Sequence, residues 1–124
     1  MSSAKMFLNF FRDVETTNFA AGEHVFREGD HGEIMFVVIE GEVEILEGLT
    51  LLEVAGPGSI IGEMALIDDE PRSASVVART NVKLVPVNRR RFEFMVQETP
   101  FFALTVMKIL ADRLRATNAR LPAR

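Results

Sequence analysis

GSIIGEMALIDDEPRSASVV, Gly58 to Val77, sets an apolar run, a Gly-Glu pair, a short helical turn and a single Arg between two expected strands. Ile60 and Ile61 read as the end of a buried strand, after which Gly62 frees the backbone. Glu63 to Ile67 tolerate a helical turn, and Pro71 ends any helix at or before Glu70. The first N–H groups of such a turn have no partner within it and face an end where the peptide dipole favours an anion. Arg72 adds a permanent charge with a planar fork of donors suited to phosphate. A Gly-Glu pair and one Arg after a Pro also describe an ordinary solvated loop. Local chemistry leaves both readings open.

Working outward, the flanking segments alternate short β-patterned runs with turn signals. These runs are His24-Val25-Phe26, Ile34–Ile39, Val43–Leu46, Leu51–Val54, Ser73–Ala78 and Val82–Val87. Ile34–Ile39 is unbroken and apolar, as expected for a strand buried on both faces. Glu42, Glu44 and Glu47 alternate with Val43 and Ile45, giving that strand one wet face. Gly29 and Gly32 fit a tight turn with positive φ, and Gly41 fits another, so shaping turns is their expected role. Such spacing predicts an antiparallel sandwich or barrel.

The period turns helical at both ends. Met6, Phe7, Phe10, Phe11 and Val14 predict a short amphipathic N-terminal helix. Asn88 is the expected N-cap of a helix over Arg89–Gln97, and Thr99-Pro100 opens a second whose face carries Phe102, Val106, Ile109, Leu110 and Leu114. Phe7, Phe10, Phe11, Phe92, Phe94, Phe101 and Phe102 are expected to pack these helices on each other and on the barrel.

Composition narrows the classes. A chain of 124 residues, 48% hydrophobic and 26% charged, is expected to form one domain over 1–124, with a barrel at about 18–87 and C-terminal helices at about 89–118. No apolar run is long enough to span a bilayer and no signal-peptide pattern opens the chain, so no membrane and a cytoplasmic location are expected. Absent Cys rules out disulfides and thiol chemistry. A formal net charge of -4 argues against direct nucleic-acid binding. Arg89-Arg90-Arg91 and Asp68-Asp69-Glu70 read as solvated surface. His24 and His31 lack metal-ligand context, so no metal and no catalytic residue are expected, and the chain is not read as an enzyme.

Gly62-Glu63-Met64-Ala65-Leu66-Ile67, four further residues, then Arg72-Ser73-Ala74-Ser75-Val76 resembles the phosphate-binding cassette of cyclic nucleotide-binding domains. Glu28 to Val43 is similar to the glycine-bounded hairpin of the same family, and the resemblance runs from about Asn18 to about Leu114. Ile61 stands where an aromatic is common. The resemblance implies a mainly β fold, an antiparallel β-barrel of jelly-roll (double-stranded β-helix) type with flanking helices. It implies no cofactor, but a ligand, cyclic AMP with cyclic GMP as the alternative. Arg72 would hold the exocyclic phosphate oxygens, completed by backbone N–H groups of Gly62, Ala65 and Ser73, with Met64 and Ala74 beside them. Glu63 would accept from the ribose 2′-hydroxyl. Candidate base contacts are Ile60, Ile61, Leu110, Arg113 and Leu114. At the position of Ser73 the family carries Thr with cyclic GMP and Ala with cyclic AMP, while its bacterial activators carry Ser and use cyclic AMP. Ligand is expected to draw the cassette and last helix toward the barrel and so reach a separate effector. The 124 residues hold no helix-turn-helix, kinase or channel segment, which points to a stand-alone receptor or a piece of a longer chain. A domain binding another small effector, or a ligand-free interaction module, are the rival expectations.

Overall fold

A computed structural model of the chain describes residues 7–119. Eight strands form two antiparallel four-stranded sheets. They are β1 (Thr17–Phe19), β2 (His24–Phe26), β3 (Ile34–Glu40), β4 (Val43–Glu47), β5 (Thr50–Ala55), β6 (Ile60–Ile61), β7 (Ser75–Ala78) and β8 (Val82–Asn88). One sheet runs β1-β8-β3-β6 and the other β2-β7-β4-β5. Two helices follow, α1 (Arg89–Glu98) and α2 (Pro100–Ala119), bent against each other by 117°. This is the expected jelly-roll class. Every expected strand is present, and β1 is an addition: Thr17-Asn18-Phe19 is too short to show a period.

The continuous apolar run of β3 has a direct cause. Met35 and Val37 join Ile60, Val85 and Val87 on the face covered by Phe7, Phe11, Phe102 and Val106. Val38 points the other way, joining Ile61, Val82 and Leu84 against Val43, Ala55, Val76 and Ala78 of the second sheet. Both faces are dry from Met35 to Val38, which excludes polar residues there, while Ile34 at the strand's start is exposed. The second sheet has no such cover, so β4 alternates Val and Ile with Glu.

Residues 7–9 are helical, and Met6 lies outside the described residues. Phe102 is the hub of the helical layer, with ring centroids 5.2 Å from Phe10 and 5.6 Å from both Phe7 and Phe92. Phe94 and Phe101 depart from the packing expected of all seven, being 62% and 52% exposed. Asn88 caps α1 as expected, its side chain accepting from Arg91 N at 2.8 Å. Pro100 is the first residue of α2, where its missing N–H costs nothing.

Candidate functional site

Between β6 and β7 the chain makes a single 3₁₀ turn, Glu63–Leu66, entered through Gly62 at φ 73°. That left-handed value is open to glycine at little cost, and here it reverses the chain out of the buried β6 strand. Ala65 N donates to Gly62 O at 3.2 Å, and Ile67 N to Met64 O at 3.0 Å. The expected helical turn therefore forms, in its tighter form.

Arg72 lies beneath it. Its main chain is gripped from both sides, Gly29 N donating to Arg72 O and Arg72 N to Asp30 O, each at 2.8 Å. Its guanidinium donates from Nη1 to Gly62 O at 3.2 Å and from Nη2 to Ile34 O at 2.8 Å, and its Cζ sits 4.0 Å over the Phe26 ring. Among the described residues no carboxylate lies within ion-pair distance of it, and its Nε is buried with no hydrogen-bond partner. Burial lowers the Arg72 pKa from its ordinary value, and the charges of Asp30 and Glu63 oppose that only in part. A half-buried cation with no carboxylate in direct contact is incompletely compensated, and an anion in the cleft would relieve it.

Gly32 corrects the sequence reading. Gly29 and Gly41 adopt φ 89° and 85°, but Gly32 is not among the positive-φ glycines. It is needed for space instead: a Cβ there would stand 2.6 Å from Arg72 Cζ. The guanidinium is thus sandwiched between Gly32 and Gly62, where a Cβ would stand 2.6 Å from its Nη1.

Above this point opens a cleft of about 610 Å³. It is lined by Gly62, Glu63, Met64, Ala65, Arg72, Ser73 and Ala74, and by Ile61 and Arg113 of the candidate base contacts. The other three stand elsewhere. Ile60 faces the helical core, Leu110 packs against that core, and Leu114 is 61% exposed. Arg113 reaches the site by donating from Nη1 to Glu63 Oε1 at 2.9 Å and from Nη2 to Ile60 O, with Nε 3.7 Å from Glu53 Oε2. Glu53, Thr117, Phe26 and Leu51 also line the cleft and were not singled out. Thr117 was legible in principle, since it lies four residues after Arg113 and so on the same helix face.

The model of the cyclic nucleotide-binding domain matches residues 16–99. The chain belongs to the cyclic nucleotide-binding domain family. It is 30% identical over 115 residues to the CRP-like cAMP-activated global transcriptional regulator of Mycobacterium tuberculosis, covering 89% of this chain and 51% of that protein. It is 39% identical over 82 residues to the cAMP-dependent protein kinase regulatory subunit of Emericella nidulans, covering 64% and 20%. A solved bacterial structure described as "A cyclic-GMP-dependent signalling pathway regulates bacterial phytopathogenesis" superposes with TM-score 0.75 at 28% identity, covering 93% of this chain and 94% of that one. The chain thus spans about half the length of the mycobacterial regulator and a fifth of the kinase subunit. These relatives are regulators and binding domains. Among the described residues no single helix is long and apolar enough to cross a membrane, and no cluster of potential metal ligands occurs.

Proposed function

We propose that the chain is a sensor domain that binds cyclic AMP, and cyclic GMP more weakly, without catalysing a reaction on either. The observation that carries this is Arg72, half-buried beneath the cleft with its Nε unpartnered and no carboxylate within ion-pair distance among the described residues. A cyclic phosphodiester carries one negative charge and two exocyclic oxygens, which match the planar fork of a guanidinium. In this reading Arg72, with the backbone at Gly62 and Ser73, takes those oxygens, and Ala65 N joins them by turning from its 3.2 Å bond to Gly62 O. Glu63 accepts from the ribose 2′-hydroxyl, and the base lies against Ile45, Leu51 and Val76 with Arg113 at the mouth.

The same reading gives a route for the signal. Glu63 is bonded to Arg113 of α2, so a ribose hydroxyl on Glu63 meets a carboxylate already tied to the last helix. Ligand then favours whichever position of α2 leaves both partners satisfied. It can bias the helix only by the difference in affinity between the two positions. A separate effector, or a further segment of a longer chain, would read that position. Isothermal titration of the chain with cyclic AMP, beside Arg72→Ala, tests the proposal: saturable 1:1 binding lost in the variant is expected, and equal heats from both would overturn it.

A further inference from the structure

Arg89 opens a run of three arginines that reads in sequence as solvated surface, yet its side chain is committed. Nε and Nη2 both donate to one acceptor, the carbonyl oxygen of Leu66, the former at 3.2 Å. Leu66 is the last residue of the 3₁₀ turn, and its side chain is buried in the helical core with Phe102 and Val106. A 3₁₀ turn has poorer hydrogen-bond geometry than an α-helix and leaves its last carbonyls without partners. Arg89 supplies one of them.

Its origin matters more. Arg89 follows Asn88, the last residue of β8, which pairs with Ile34 at the start of β3. Ile34 is the residue whose carbonyl holds Arg72 Nη2. A single rung of the ladder therefore references both halves of the site: one strand fixes the guanidinium, and the residue after its partner fixes the turn. The rung closes the β3–β8 ladder at the end nearest the cleft, since β1 pairs with β8 only over Val82–Leu84.

We propose that Arg89 is a positioning residue for the anion site, holding the 62–66 turn in register with Arg72 through the Leu66 carbonyl. This rests on the reading of the cleft as a cyclic-nucleotide site. Without Arg89 the turn keeps its sequence but loses its fixed distance from the guanidinium.

The test compares the parent chain with Arg89→Ala, Arg89→Lys and, as a control on the same helix turn, Arg90→Ala. Cyclic AMP affinity is measured by titration, amide hydrogen exchange at 63–68 by NMR without ligand, and Tm by thermal melting. Arg89→Ala should lose about tenfold in affinity, since hydrogen bonds from a charged group are the stronger kind. Amides at 63–68 should exchange faster while Tm stays close to that of Arg90→Ala. Arg89→Lys, a single donor on a flexible stem, should recover part of both effects, which a general loss of stability would not produce. Affinity within twofold of the parent, or unchanged exchange at 63–68, overturns the inference. A parent chain that binds neither cyclic AMP nor cyclic GMP sinks the ligand reading instead. The exchange data then decide the Arg89 link alone: faster exchange in Arg89→Ala but not in Arg90→Ala supports it, and no difference removes it.

Discussion

Arg72 at one end of the cleft donates only to backbone carbonyls and lies over an aromatic ring, whereas Arg113 at the other is paired with two carboxylates. The contrast separates two tasks. Backbone carbonyls and a ring orient Arg72 without neutralising it, so its charge stays available to an anion in a half-buried place. Arg113 is neutralised, and by pairs that are each about a quarter exposed at most. Its contact with Glu53 is long, at 3.7 Å, so Arg113 can trade one carboxylate for another, which suits a link between ligand and helix. One arginine is a fixed receptor, the other a replaceable tie.

The hardest way to break this contrast is to remove the fixed receptor. Two hydrogen bonds to a charged group, at about 1.5–3 kcal/mol each, correspond to about two to four decades of affinity lost in Arg72→Ala. Arg72→Lys should restore little, because a point charge cannot span two oxygens. Titration calorimetry reads both; Arg72→Ala binding within a few-fold of the parent while still folded would dissolve the distinction between the two ends.

A milder attack on the same end leaves the arginine in place and removes its room. Gly32→Ala brings a Cβ to 2.6 Å from Arg72 Cζ. Overpacking of this kind costs about 1–3 kcal/mol, or roughly fivefold to 150-fold in affinity if the guanidinium is what moves. Since Gly32 has no positive φ, the turn itself should persist, and far-UV circular dichroism should match the parent. Unchanged affinity in a folded Gly32→Ala would mean that the guanidinium tolerates displacement.

Much of this architecture was readable from the chain. Ile34–Ile39 announced a strand dry on both faces, and the Glu alternation of β4 announced one that is not, because burial acts on each residue separately. The Gly-Glu turn and Arg72 were legible together because they lie ten residues apart on one loop. What escaped was set by contacts across the sheets and helices. Gly32 looks like any turn glycine until Arg72, forty residues on, is laid against it. Arg89 looks like surface because nothing local says that Leu66 O lies beneath it. Arg113 was assigned to the base, but its reach to Glu63 depends on how α2 crosses the cleft, which no periodicity encodes.

The replaceable end is sharpened by Glu63→Ala, an effect expected to be about tenfold. If Glu63 reads the ribose, the variant weakens cyclic AMP but hardly changes 2′-deoxy cyclic AMP, and the double cycle shows coupling. Loss of the Arg113 bond alone would weaken both ligands equally. That outcome would reassign Glu63 from ligand contact to helix anchor.

The smallest effect expected is the choice of base, and it falls between the two ends, at Ser73. Ser73 lines the cleft, and among the described residues its hydroxyl makes no hydrogen bond to the protein. It is therefore free to meet either the phosphate or a purine substituent, and a hydroxyl capping its own loop is not what the structure contains. A neutral hydrogen bond contributes about 0.5–1.5 kcal/mol net, so selectivity through Ser73 stays at about tenfold or less. The phosphate end does not distinguish the purines, because both ligands present it with the same group. Competition displacement should therefore give a modest preference for cyclic AMP, with cyclic GMP binding measurably and Ser73→Ala moving the ratio further toward cyclic AMP. Cyclic GMP ahead by more than tenfold would show that the base is read by a group stronger than a neutral hydroxyl, and Glu53 or Arg113 at the mouth would be the residues to change next.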